Sequence, residues 1–281
     1  MPFSGSSADT TRAIKSVVRG LLPRSLANWR DARFYARYGE VELHVLEFLC
    51  SRDRDSVDIG ANEGCYTNLM RRWSRRVIAF EPQPSLADSL SARFGDSVDV
   101  SRMALSDRIG STVLKVPLVN GIAVNGCASI ANSAHGHYAA FEDITVDTAP
   151  IDDVYRGDVG FMKIDVEGHE EAVLRGAART LERAQPRLLV EIVDYLSPGG
   201  LERAKTFLSD FGYRGHFIYR GDLLDIDVFD VETMQSPDDA PDLTAPLSAR
   251  ERFPRFVYNF IFLPQGDDKT AQRIAARVAT L

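Results

Sequence analysis

The turn that decides the fold is Asp58-Ile59-Gly60-Ala61-Asn62-Glu63-Gly64. It follows a short strand predicted at 56–59 and opens a helix predicted at 64–73. In open α/β sheets ligands bind at the carboxyl ends of the strands, and Gly60 lets the backbone turn sharply there. A dinucleotide-binding fingerprint would need glycines at positions 62 and 65, where this chain has Asn62 and Cys65. The turn therefore favours a ligand without a pyrophosphate.

Strands and helices alternate on both sides of this turn. Apolar runs predict further strands at 77–80, 98–104, 111–119, 161–164, 187–193, 213–219 and 256–263. Segments between them predict helices at 85–94, 170–183, 200–211 and 268–281, after a mostly helical stretch at 11–50 that breaks at Pro23. Ser85 is the predicted N-cap of its helix, and 120–140 and 221–255 are predicted loops. This alternation indicates a mostly parallel sheet with helices on both faces.

Composition places the chain among globular proteins. Its 281 residues are 44% hydrophobic and 26% charged, which argues against disorder and against a disulfide scaffold. The three cysteines have no metal-binding spacing and suit a reducing compartment. Neither a signal peptide nor an apolar run of the roughly 20 residues that span a bilayer is present in the sequence. We therefore expect a cytoplasmic location.

Charge is unevenly distributed along the chain. Residues 1–38 carry a net charge of +5, whereas the remainder carries −12. An acidic body argues against nucleic acid as a partner, because that affinity comes largely from neutralising phosphates. The basic leader predicts at most a peripheral contact with anionic lipid or a glycolipid head group. The alternative is a solvated helix that packs beside the core.

A carboxylate at the end of the second strand indicates a ribose site. Glu81 lies 21 residues after Gly60 and can accept hydrogen bonds from both hydroxyls of a ribose. Ribose without pyrophosphate points to S-adenosylmethionine, whose ammonium end Asp58 could help to hold. Ser106 and Asp107 follow the third strand, where an adenine would lie. The alternatives are an ordinary turn with an exposed glutamate and a polar turn at 106–107.

A second acidic cluster, at 163–171, is the predicted chemical centre. Asp165 and Glu167 are two residues apart, so in extended backbone they face the same way. His169 follows them and titrates near neutrality, which suits a general base in methyl transfer to a hydroxyl. Its alternative role is local bonding at a helix start. We expect no metal, although Asp165, Glu167 and Glu191 together could hold a divalent ion.

These motifs, in this order, resemble the FkbM-type methyltransferase family over about residues 55–264. They are Val57–Gly64, Phe80-Glu81-Pro82, Ala104–Asp107, FMKIDVEGHE at 161–170, Val173–Ala177, Leu189–Ile192 and Asn259–Phe262. The resemblance implies a class I, Rossmann-like methyltransferase fold: a seven-stranded, mostly parallel sheet with its last strand antiparallel. It also implies a cofactor site at Asp58, Gly60, Asn62, Gly64 and Glu81, joined by Ser106 and Asp107. The residues beside the transferred methyl would be Asp165, Glu167 and His169.

The resemblance further implies an activity and a domain plan. Known members mostly methylate hydroxyls of sugars, glycolipids or polyketides. We therefore expect S-adenosylmethionine-dependent O-methylation of a sugar, glycolipid, polysaccharide or related metabolite by a domain at 51–264. Residues 1–50 would form a helical extension and 265–281 a tail. The alternatives are a non-catalytic binding module on the same fold, a non-carbohydrate acceptor and a nucleotide-dependent oxidoreductase, which Asn62 and Cys65 disfavour.

Overall fold

A computed structural model of the chain describes residues 24–131, 138–240 and 251–281. Parts of three predicted segments therefore lie outside the described residues. They are residues 1–23 of the N-terminal extension with the break at Pro23, residues 132–137 of the first long loop, and residues 241–250 of the second.

Helices and strands alternate over most of the described chain. The helices are α1 (Arg24–Tyr38), α2 (Leu46–Leu49), α3 (Cys65–Met70), α4 (Pro84–Phe94), α5 (Ile151–Val154), α6 (Glu170–Gly176), α7 (Ala178–Ala184), α8 (Gly200–Asp210), α9 (Val231–Met234) and α10 (Asp268–Val278). The strands are β1 (Asp55–Ile59), β2 (Val77–Phe80), β3 (Asp99–Ser101), β4 (Ala104–Leu105), β5 (Gly110–Val119), β6 (Ile122–Ala123), β7 (Phe141–Ala149), β8 (Val159–Ile164), β9 (Arg187–Glu191), β10 (Tyr213–Tyr219), β11 (Asp222–Asp225) and β12 (Asn259–Pro264).

The main sheet confirms the class I methyltransferase fold. Its strand order is β11-β10-β12-β9-β8-β1-β2-β3. The five strands from β9 to β3 pair in parallel, and β12 is antiparallel to both β9 and β10. The sheet has eight strands instead of the predicted seven, because β11 folds back on β10. Arg220 and Gly221 form that hairpin with φ of 52° and 92°, the two positive values that a type I′ turn requires.

A second sheet lies beside the first and was not predicted. Its order is β4-β7-β5-β6, and β5 and β7 pair antiparallel from Gly110↔Thr148 to Pro117↔Phe141. The strand predicted at 98–104 is divided between the sheets, since β3 joins the main sheet and β4 pairs with β7. The predicted loop at 221–255 was also wrong in part, because its described portion contains β11 and α9.

Hydrophobic residues cover both faces of the main sheet. Alternate residues of β8 point to opposite sides, so Met162 belongs to one buried cluster and Phe161 to the other. The cluster around Phe161 includes Val45 from the chain before β1 and Ile274 from α10. Each such fully buried side chain stabilises the fold by about 1.5–3 kcal/mol. The segments before and after the sheet therefore pack into the same core as the sheet itself.

Two helix boundaries differ from the predictions. The helix predicted at 170–183 is divided into α6 and α7 at Gly176, where an added Cβ would lie 2.0 Å from the carbonyl oxygen of Ser106. Helix α4 is not capped by Ser85: Gln83 is its N-cap, and Pro84 occupies the first turn. None of the described helices combines the length and apolar character that a bilayer crossing requires.

Candidate active site

A cleft opens at the carboxyl ends of β1, β2 and β8. The chain passes from β1 to β2 on one side of the sheet centre and later to β8 on the other, so this is the topological switch point of the sheet. The cleft encloses about 610 Å³ including its mouth. Gly60 and Asn62 line one wall, Glu81 lies near the end of β2, and Asp165 and Glu167 follow β8.

Gly60 is required by a close backbone approach. Its φ is +77°, and an added Cβ would lie 1.8 Å from the carbonyl oxygen of Asp165. The amide of Asp165 in turn donates to the carbonyl of Ile59 at 3.0 Å. The turns after β1 and β8 therefore touch, and any larger residue at position 60 would separate them.

Glu81 is held by backbone amides and keeps acceptor sites for a ligand. Its carboxylate oxygens accept hydrogen bonds from the amides of Asn62 at 2.7 Å and Gln83 at 2.9 Å. Burial raises the pKa of Glu81 to about 7, although these two amides lower it. A carboxylate has about four lone-pair sites, so one on each oxygen remains for the two hydroxyls of a ribose. The role of Glu81 at a ribose stays a prediction.

Ser106 lies behind the lining and contacts His169, which does line the cleft. The Ser106 hydroxyl and Nε2 of His169 are 2.9 Å apart, and Ser106 also contacts Asp107 at 3.3 Å. Burial lowers the pKa of His169, although Asp107 opposes this, and so favours the neutral imidazole. His169 therefore lies against the predicted adenine-binding residues. Sequence reasoning had grouped it with Asp165 instead.

A buried lysine organises the acidic cluster and was given no role from the sequence. Lys163 on β8 is 1% exposed, and its Nζ lies 3.1 Å from Asp165 Oδ2 and 3.8 Å from Glu191 Oε2. Burial alone would lower the pKa of Lys163, but Asp165 and Glu191 raise it overall. The available signal was a lysine inside an otherwise apolar strand, since lysine is almost never fully buried unless it is paired.

The remaining carboxyls of the cluster favour their protonated forms. Burial, and after it the charge of Asp165, raises the pKa of Glu167 and of Glu191 well above the usual range. One oxygen from each of the three carboxylates lies within 4.8 Å of the others, which is close enough to share a metal ion. The ammonium of Lys163 already supplies a positive charge at Asp165, and a divalent cation bound there would lie beside it.

The chain before β1 also reaches this cluster. Glu40 accepts hydrogen bonds from the Tyr66 hydroxyl at 2.5 Å and from Nδ2 of Asn259 at 3.1 Å. The Tyr66 ring lies 4.9 Å from the ammonium of Lys163. Burial raises the pKa of neighbouring Glu42 to about 8, with Glu40 adding to the effect. These residues lie far from Lys163 in sequence, so no local pattern predicts that they meet.

Four residues predicted to bind the cofactor do not line the cleft: Asp58, Gly64, Ser106 and Asp107. An added Cβ at Gly64 would come within 2.6 Å of Leu90 and 2.8 Å of Phe94, so this glycine makes room for α4. Asp58 is 2% exposed and accepts a hydrogen bond from Thr67 beneath the lining. Burial raises the pKa of Asp58 to about 6. Its part in binding an ammonium group stays a prediction.

The described part of the first long loop covers the cleft. Asn125, Gly126 and Ala128 line it, and the carbonyl of Asn125 accepts a hydrogen bond from Gln83. The Ser129 hydroxyl donates to the carbonyl of Glu167, whose own φ is +51°. The loop is therefore hydrogen-bonded to Gln83, which follows β2, and to Glu167, which follows β8. The sequence predicted a loop at 120–140, but not these contacts.

Together, the sheet order and the cleft at its switch point define a class I methyltransferase. The chain belongs to the FkbM methyltransferase family, because the model of the methyltransferase FkbM domain matches residues 58–214, more than half of the chain. Family membership implies S-adenosylmethionine as the cofactor.

Solved structures of several methyltransferases are similar to the chain. An FkbM methyltransferase from Methylobacillus flagellatus is 17% identical with a TM-score of 0.46, and the match covers 91% of this chain and 60% of that one. An S-adenosylmethionine-dependent O-methyltransferase from Thermotoga maritima is 8% identical with a TM-score of 0.38, and the match covers 84% of this chain and 65% of that one. An rRNA methylase from Streptococcus thermophilus is 13% identical with a TM-score of 0.38, and the match covers 80% of this chain and 94% of that one. The chain thus spans less than two thirds of the first two proteins. No curated protein matches it significantly.

Proposed function

We propose that this protein transfers a methyl group from S-adenosylmethionine to a hydroxyl of a sugar, a glycolipid, a polysaccharide or a related metabolite. The observation that carries the proposal is the cleft itself. Its lining contains the Glu81 carboxylate, which keeps two acceptor sites, and the Asp165 carboxylate, which forms an ion pair with Lys163. When bound, the cofactor supplies an activated methyl group on a sulfonium centre. The chain's residues have to bind the nucleoside, admit a hydroxyl and remove its proton.

Glu81 is the residue that we assign to the ribose. Each of its oxygens already accepts one backbone amide, which fixes the plane of the carboxylate. Ser106 and Asp107 are assigned to the adenine amine. Asn62 and Gly60 shape the wall between them and Asp165.

Asp165 is the first choice for the group that accepts the proton of the hydroxyl. It lines the cleft, and the ammonium of Lys163 lies 3.1 Å from one of its oxygens, which orients the side chain. Glu167 is a weaker base candidate because burial and Asp165 favour its protonated form. A positioned base contributes about 10²–10⁴-fold to such a reaction.

His169 has two possible roles that kinetics separate. If His169 is the base, His169→Gln should lower kcat by about 10²-fold or more. If His169 instead positions Ser106, the same substitution should mainly raise KM for the cofactor. The contact between Nε2 and the Ser106 hydroxyl supports the second role.

Cofactor binding is tested by titration calorimetry with S-adenosylhomocysteine. We expect binding that Glu81→Ala weakens by about 1–3 kcal/mol, the cost of losing buried hydrogen bonds. Absence of binding at millimolar ligand would remove the cofactor assignment.

Turnover is tested separately, with labelled cofactor and a pool of host glycans and lipids. Label in a hydroxyl-bearing acceptor supports the proposal. Binding without label transfer would identify a non-catalytic module instead. The reaction is expected to survive EDTA, and loss of activity that magnesium restores would place an ion at Asp165, Glu167 and Glu191.

A further inference from the structure

Helix α1 turns its apolar and basic residues outward. Its inward face is formed by Asn28, Asp31 and Ala32, with Asp31 and Asn28 bonded to Arg93. The outward face, here called the Trp29 face, has the spacing of one side of a helix and consists of Leu26, Trp29, Arg30, Arg33, Phe34 and Arg37. The helix is thus held by polar contacts and by Ala32 and Tyr35, which pack against a core cluster, while Leu26, Trp29 and Phe34 are exposed to solvent.

The Trp29 face combines two properties that a membrane surface recognises. Leu26, Trp29 and Phe34 are 46%, 52% and 42% exposed. The three arginines alternate with them along the same stripe, and the guanidinium of Arg33 lies over the Trp29 ring at 5.0 Å. Helices that lie in a bilayer interface insert such apolar residues between the lipids while the flanking cations contact anionic head groups.

We propose that the Trp29 face docks on an anionic lipid bilayer. The proposal concerns where the protein binds and does not depend on the identity of the methyl acceptor.

Charge favours this occupant over two others. A second copy of the chain would bring six arginines together across the twofold contact, where like charges repel. An RNA partner would need a basic surface well beyond one helix, whereas the chain after residue 38 carries −12. Aliphatic Leu26 also has no ring on which a base could stack. An anionic bilayer, by contrast, repels the acidic body and attracts the basic Trp29 face, so this face is the side that approaches the lipid.

The test is co-sedimentation of the full chain with vesicles of phosphatidylcholine alone or mixed with phosphatidylglycerol. We expect pelleting with the mixed vesicles only, and its loss at about 1 M salt, where the screening length is about 3 Å. Each arginine near an anionic surface contributes about a fivefold factor, so R30Q/R33Q/R37Q should weaken binding on the order of a hundredfold. W29S/F34S should weaken it about tenfold.

A matched control removes three exposed arginines elsewhere, R72Q/R214Q/R220Q, and should bind like the wild type. In a Trp73→Phe background Trp29 is the remaining tryptophan, and its emission should shift to shorter wavelength with mixed vesicles. The proposal is overturned if the wild type stays in solution, if the Trp29-face variants bind as well as the wild type, or if the control loses as much. A dimer, or an RNA complex, that W29S/F34S abolishes while vesicles fail to bind would assign the face to that partner instead.

Discussion

Cofactor affinity should depend on pH through Glu81. Burial raises the pKa of this carboxyl to about 7 in the ligand-free protein, whereas hydroxyl donors from a ribose favour its charged form. About one molecule in ten is ionised at pH 6 and about nine in ten at pH 8. If the ionised form binds, the Kd of S-adenosylhomocysteine should fall about tenfold between these pH values, or about 1.4 kcal/mol. The Kd falls as pH rises because the higher pH removes the proton that competes with the ligand for Glu81.

The assay is calorimetric titration at both pH values, with Glu81→Gln as the matched variant. Glutamine has nearly the same shape but does not titrate, so its pH dependence should be flat. It should also bind more weakly, because its amide donates where the amide of Asn62 or Gln83 needs an acceptor, at a cost of about 1–3 kcal/mol. Burial raises the pKa of nearby Glu170 to about 7 as well, which makes the variant necessary. A wild-type Kd that is constant across this range, or a slope that Glu81→Gln retains, would refute the reasoning.

Three further perturbations test the surroundings of the cleft. Lys163→Met leaves Asp165 without its buried cation. It should lower the free energy of unfolding by about 3–5 kcal/mol, which corresponds to a fall in Tm of about 10 °C. An unchanged Tm would show that the ion pair is energetically neutral. Burial raises the pKa of Glu42 to about 8, so the native protein binds a proton that the unfolded chain releases, and this group's contribution is lost as pH rises. Tm should therefore fall more steeply between about pH 5 and pH 8 in the wild type than in Glu42→Gln, and parallel profiles would contradict this. Gly60→Ala forces a Cβ to within 1.8 Å of a carbonyl oxygen and should abolish S-adenosylhomocysteine binding, whereas Gly121→Ala, with the same positive φ but open space, should bind normally.

The sequence predicted those strands that the core buries completely. The strands around Ile78, Met162 and Leu189 are mostly apolar runs bounded by turn residues, and a parallel sheet covered on both faces needs such runs. The strand around Val57 contains Ser56 and Asp58 and was recognised with the help of Gly60, which closes it. Strand β7 was missed because much of it is exposed: Glu142, Asp143 and Asp147 interrupt its apolar residues. Its place is set by pairing with β5, a contact that no local pattern contains.

The same distinction applies to the site. Gly60, Asn62 and Glu81 could be assigned because the ends of consecutive strands must meet at one edge of the sheet. The pairing of Ser106 with His169, and of Lys163 with Glu191, depends on how neighbouring segments pack across the cleft. The division of one predicted helix at Gly176 has a similar origin, since the backbone of Ser106 occupies the space of a side chain there.

The contacts of Glu40 have a consequence for transplanting this domain. Its partners Tyr66 and Asn259 lie on either side of the boundary of the matched region, since 66 falls within residues 58–214 while 40 and 259 fall outside. A chimera that grafts only residues 58–214 from a relative would confront Glu40 with a foreign side chain at position 66. A residue unable to donate there would leave a half-buried carboxylate short of a hydrogen bond. Interchangeable modules of this architecture should therefore be cut before residue 40 and after β12.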